Sequence, residues 1–63
     1  MTWAELIRLL KRHGWREERT GKGSHVRMWH PDRQAYIWVS RHTTQDVGRG
    51  LARQILRDAG IDE

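Results

Sequence analysis

No cysteine occurs in these 63 residues. That removes disulfides, the usual staple of a very small domain, and with them the commonest structural zinc sites. It also fits a reducing compartment. No apolar run approaches the length that spans a membrane. The opening Met1-Thr2-Trp3-Ala4-Glu5 carries a carboxylate where a secretion signal would carry positive charge. These absences predict a soluble, cytoplasmic protein with no membrane association. Linkers, internal repeats and low-complexity tracts are also missing, so the expectation is a single domain over residues 1–63. A chain this short buries a small fraction of its surface, which leaves a partner chain as the remaining means of stabilisation.

Negative charge is also in short supply. Eight Asp and Glu stand against 12 Lys and Arg, for a formal charge of +4, and ten of the 12 are arginine. Arginine presents a planar fork of donors that matches phosphate oxygens and also stacks on bases. A positive field speeds encounter with polyanions. The same charge is also compatible with plain solubility, so composition alone leaves both readings open.

Along the chain, Thr2 and Glu5 fit a capping box, in which each side chain satisfies a free backbone N–H near a helix start. Trp3, Leu6, Ile7 and Leu10 follow at helical spacing, with Arg8, Lys11 and Arg12 around the other side. Gly14 supplies the stop, and His13 just before it reads as a surface residue. Residues 15–20 form a mostly polar first strand, and Gly21-Lys22-Gly23 a turn. Ser24 to Trp29 is the second strand, His30-Pro31-Asp32-Arg33 carries turn chemistry, and Ala35 to Val39 is the third and most apolar strand. The last helix runs from about Gly48 or Arg49 to Ala59, with Val47, Leu51, Ala52, Ile55, Leu56 and Ala59 apolar and Arg49, Arg53 and Arg57 at i, i+4, i+8 on the other side. That arginine stripe reads as a solvated face, with phosphate tracking as the alternative. Gly48 and Gly50 weaken the first turn of the helix, or else admit another backbone.

The predicted fold class is therefore α+β: an αβββα, double-stranded-RNA-binding-domain-like arrangement, with an antiparallel three-stranded sheet and two helices on one face. Strand alternation then sorts the side chains. Val26, Met28, Ile37 and Val39 belong under the helices. His25, Arg27, Trp29, Tyr36 and Trp38 belong together on the outer face. Those aromatics admit three readings: stacking on unpaired bases, burial under a partner protein, or a strand phase off by one that would make them core.

His25 is the leading candidate for chemistry. A histidine without perturbation titrates near ~6.5 and can exchange a proton at neutral pH. RNA carries its own nucleophile, the 2′-OH beside each phosphate. One base and a few cations are then enough for cleavage without a metal or cofactor. The bland alternative is an exposed histidine with no role. A Ser24–His25 dyad is disfavoured because neighbours in a strand point to opposite faces. A zinc site is disfavoured because His25 and His30 are an odd number apart and only His42 remains as a third ligand.

Several motifs stand in a recognisable order: Gly14-Trp15, Lys22-Gly23-Ser24-His25, His30-Pro31-Asp32, Asp46-Val47 followed by Gly50, Arg53, Ile55 and Leu56, then Ala59-Gly60-Ile61. In this order and spacing the chain resembles the HicA-type mRNA interferase toxins over nearly its whole length. The resemblance implies the double-stranded-RNA-binding-domain-like fold. It also implies ribosome-independent cleavage of mRNA with an essential histidine, here His25, and a HicB-type antitoxin that covers the active face. With the residue chemistry above, it gives Lys22, Gly23, Ser24 and Arg27 as the RNA- and phosphate-binding set, Lys22 before Arg27. Trp29, Tyr36 and Trp38 become the antitoxin or base-stacking face. The sequence departs from the pattern in three places: Val26 stands where many relatives have a second histidine, Ser40 where a proline is common late in the third strand, and Arg49-Gly50-Leu51-Ala52 where Pro-Gly-Thr-Leu opens the last helix. A second acid–base group is not identified, His30 and His42 being candidates by residue type alone. The alternative function is a non-catalytic RNA-binding or protein-interaction module of the same fold.

Overall fold

A computed structural model describes residues 1–18, 25–42 and 44–61. Its elements are α1 (Trp3–Arg12), β1 (Arg16–Glu18), β2 (His25–His30), β3 (Ala35–Ser40) and α2 (Arg49–Asp58). The three strands form one antiparallel sheet in the order β1-β2-β3. The fold is thus the αβββα arrangement expected from the sequence.

Helix α1 begins where the capping box places it. Thr2 Oγ1 accepts the Glu5 N–H at 3.2 Å, and Glu5 Oε1 accepts the Thr2 N–H at 2.7 Å. The Thr2 backbone N–H, and then the Thr2 side chain, hold the Glu5 carboxyl below its ordinary pKa. A lowered carboxylate pKa stabilises the fold above the unfolded-state value, and the contribution is lost as pH falls through the folded value. Two outcomes follow. Thr2→Ala is expected to cost about 1 kcal/mol at neutral pH. The stability gap between the wild type and Glu5→Gln is expected to shrink as pH is lowered below about 4, near the ordinary glutamate range. Urea melts at pH 7 and pH 3 check both.

Both helices stop by the same device. Gly14 (φ 95°) and Gly60 (φ 74°) lie in the left-handed region that glycine enters without strain. After α1, the Gly14 N–H reaches the Lys11 carbonyl and the Trp15 N–H the Leu10 carbonyl; after α2, the Gly60 N–H reaches Arg57 and the Ile61 N–H reaches Leu56. These paired bonds are Schellman caps, and each turns the following large residue, Trp15 or Ile61, into the core.

The core combines Leu6, Ile7 and Leu10 of α1, Val26, Met28, Ile37 and Val39 of the sheet, and Ala52, Ile55 and Ala59 at α2, with Trp15, Val47 and Ile61 at its edges. The alternation read from the sequence holds: one face of β2 and β3 is buried, and the other is exposed or half-buried. Leu51 departs from expectation, the arginine stripe is exposed as expected, and one of the two readings of Gly48 and Gly50 falls away. Leu51, placed on the apolar side of α2, is exposed, because the helix turns Ala52, Ile55 and Ala59 inward. Arg49, Arg53 and Arg57 are exposed, but they border an open groove that also involves Val47, Ala52 and Leu56. Gly48 and Gly50 have open space around them, so no other part of the described chain approaches there. Among the described residues no helix is long and apolar enough to cross a membrane.

Candidate functional site

The strand register arranges the outer face as a small grid. Arg16, Trp29 and Tyr36 form one row; Glu18, Arg27 and Trp38 form the next; His25 and Ser40 form the last. His25 is exposed at the start of β2, at the far end of the strand from His30. Lys22, Gly23 and Ser24 lie outside the described residues.

Arg27 occupies the centre of this face. Its guanidinium pairs with the Glu18 carboxylate and lies over the Tyr36 ring, 4.2 Å from the centroid, and 5.9 Å from the Trp38 centroid. Its Nε is buried and finds no partner among the described residues. Trp29 leans on Tyr36 with centroids 4.8 Å apart. A cation over aromatic faces is favourable, and here it binds the face into one layered stack. Arg27 is therefore half-buried and already matched by a carboxylate, which differs from the free cation that the sequence suggests. Tyr36 (47% exposed) and Trp38 (54% exposed) are open to solvent, so the strand-phase alternative that would make them core is ruled out. Trp38 stands opposite Arg27, in the row next to His25 and Ser40. It is the most open of the three aromatics.

The other histidines differ in kind. His30 is buried on the core side of β2. The N–H groups of Asp32 and Arg33, which can only donate, point at its Nδ1 from 3.2 and 3.3 Å. Nδ1 therefore holds the lone pair, and the ring proton is on Nε2, 3.0 Å from the His13 carbonyl that accepts it. The ring meets Trp15 edge-on with centroids 5.1 Å apart. A Cβ at Gly14 would come within 2.8 Å of Nε2. Both ring nitrogens are thus committed to the fold, and His30 is removed from the acid–base candidates.

This joint explains two motif pieces at once. Gly14-Trp15 ends α1 against the His30 ring, and His30-Pro31-Asp32 closes the β2–β3 hairpin around the same ring. At Gly60 the positive φ calls for glycine, and the end of the flexible Arg33 side chain from that hairpin lies beside it. The Gly14-Trp15 and His30-Pro31-Asp32 motifs thus meet at one end of the molecule and tie α1 to the hairpin. Among the described residues, His25 stands at the opposite end of β2 from this joint.

The same pieces, in this order, match a model of the family described as the HicA toxin of bacterial toxin–antitoxin systems, over residues 3–61. The chain belongs to the HicA toxin family. No curated protein matched the chain. Membership of a toxin–antitoxin family carries with it an antitoxin as partner. On this HicA chain, the joint around His30 is the part that sequence reasoning missed. Trp15 lies between a helix and a strand and belongs to neither periodicity. His30 contacts residues 15 to 17 positions away, and no local pattern reports that. The one available signal was parity, which already put His30 on the side of Val26 and Met28. Among the described residues, no three side chains of metal-ligating type converge.

Proposed function

We propose that this HicA family member is an endoribonuclease that cleaves mRNA without ribosome or metal, with His25 as its catalytic histidine. The observation that carries the reading is the division of labour between the two ends of β2. The motifs at the His30 end are consumed by packing, while His25 stands exposed at the other end beside an aromatic, cationic face. In the reaction, His25 removes the proton of a 2′-OH, whose oxygen attacks the adjacent phosphorus. The bond from phosphorus to the 5′-oxygen then breaks, leaving a cyclic phosphate and a 5′-OH. Lys22 stabilises the charge on the phosphate, Gly23 lets the RNA backbone come close, and Ser24 contributes to the same contact. Arg27 assists once its pairing with Glu18 is exchanged for phosphate. The chain acts as one domain, residues 1–63.

The partner is a HicB-type antitoxin seated on the outer face, where Trp29, Tyr36 and Trp38 stand. An occupant there covers His25 as well, so inhibition follows from position alone. Single-stranded RNA incubated with the purified chain in excess EDTA, with no ribosomes, is expected to be cut. RNA that stays intact would remove the nuclease reading, and binding without cleavage would favour a non-catalytic RNA-binding module.

Trp38 supports a second, independent prediction. A base stacked on an aromatic ring is worth roughly 1–3 kcal/mol. Trp38→Ala is therefore expected to weaken binding of a non-cleavable 2′-O-methyl RNA by about 5- to 150-fold, with the melting transition little changed because the side chain is exposed. Unchanged affinity in an anisotropy titration would assign Trp38 to the protein partner and not to RNA.

A further inference from the structure

Cleavage by the route above involves two proton transfers, one from the attacking 2′-oxygen and one to the departing 5′-oxygen. His25 is one titratable group. The described residues contain three other histidines, and the fold separates them. His30, whose ring is bonded to the His13 backbone carbonyl, and His13 itself are at the far end of β2. His42 is at the His25 end.

Its placement follows from the ladder. His25 is paired with Ser40, the last residue of β3, so their side chains lie side by side on the outer face. The chain bends at Arg41, and Ser40 Oγ accepts the His42 N–H at 3.0 Å. The bend therefore brings the His42 backbone N–H onto the side chain that adjoins His25. His42 thus comes two residues after the ladder partner of His25, at the same end of the sheet. The His42 carbonyl accepts the Gln45 N–H at 3.0 Å and so starts the next turn. The backbone is thus fixed on both sides of an exposed ring that makes no hydrogen bond to the described residues.

We propose that His42 is the second proton-transfer group of the site, the general acid that protonates the departing 5′-oxygen, and that Ser40 is the residue that positions it. This assignment rests on the nuclease reading. The step balances: His25 takes the 2′-OH proton, the new bond from the 2′-oxygen to phosphorus replaces the bond to the 5′-oxygen, and His42 gives that oxygen its proton.

The test uses two RNA substrates, one ordinary and one with sulfur in place of the bridging 5′-oxygen at the cleavage site. A thiolate leaves without protonation, so the sulfur substrate dispenses with the acid. His42→Ala is expected to cut the ordinary substrate on the order of 10²-fold more slowly than the wild type, and the sulfur substrate within a few-fold of it. His25→Ala is expected to be slow on both. His42→Gln, which keeps a polar side chain of similar reach, guards against a folding defect and is expected to follow His42→Ala. Either variant cutting ordinary RNA at the wild-type rate would overturn the assignment, as would an equal loss on both substrates. A wild type that cuts neither substrate overturns the nuclease reading and this assignment together. A wild type that cuts, beside an unimpaired His42→Ala, overturns the assignment alone.

Discussion

Replacing His25 by alanine is expected to slow RNA cleavage by about 10²–10⁴-fold, the range that one positioned acid–base group supplies. The fold should be unaffected. His25 is exposed and makes no hydrogen bond to the described residues, so its loss opens no cavity and orphans no buried partner. The melting transition of His25→Ala should therefore coincide with that of the wild type, and its affinity for a non-cleavable RNA should stay within a few-fold. These three measurements belong together. Loss of cleavage with intact folding and binding places His25 in the chemistry. Equal cleavage by both proteins would remove it from the mechanism, and loss of binding in parallel with cleavage would reassign it to substrate contact.

Trp15→Ala should have the opposite profile, with a large effect on folding. Trp15 is almost fully buried and meets the His30 ring edge-on. Truncating a buried tryptophan costs about 3–5 kcal/mol. At roughly 0.05–0.15 kcal/mol per residue, a chain of this length has a total stability of the same order. Most or all of the folded population should be lost, visible by circular dichroism as a melt displaced far below the wild type or absent. Trp15→Phe is the informative companion. It keeps most of the packing and removes an indole N–H that is buried without a partner among the described residues, a donor whose burial is itself costly. It should sit much closer to the wild type than to Trp15→Ala. A Trp15→Ala protein that melts like the wild type would show that the joint around His30 is not what ties α1 to the sheet.

The contrast between these two residues bears on how motifs are read. Gly14-Trp15, His30-Pro31-Asp32 and Ala59-Gly60-Ile61 look on the page as promising as Lys22-Gly23-Ser24-His25. Two of the four turn out to be parts of one mechanical joint, and a third caps α2 and turns Ile61 into the core. His30 makes the point most sharply: its residue type suggests proton transfer, yet two amide donors and one carbonyl acceptor leave its ring no free nitrogen. Arg27 shows a milder form. Its charge suggested a phosphate contact, but the register puts Glu18 beside it and aromatic rings beneath it, so phosphate must compete for it.

What the sequence by itself determined here is everything that depends on local period and local chemistry. The capping box fixed the start of α1, the glycines fixed both helix ends, and strand alternation assigned Val26, Met28, Ile37 and Val39 to the core and His25 to the open face. These rules act over two to four residues, and such spacings can be counted directly. Tertiary structure alone decided which distant residues meet: Glu18 with Arg27, His13 with His30, Arg33 over Gly60, and Ser40 beside His25 with His42 held at its hydroxyl. Those meetings depend on strand register and on how the helices lie across the sheet. Both are set by the packing of the whole core and by no single segment of the chain.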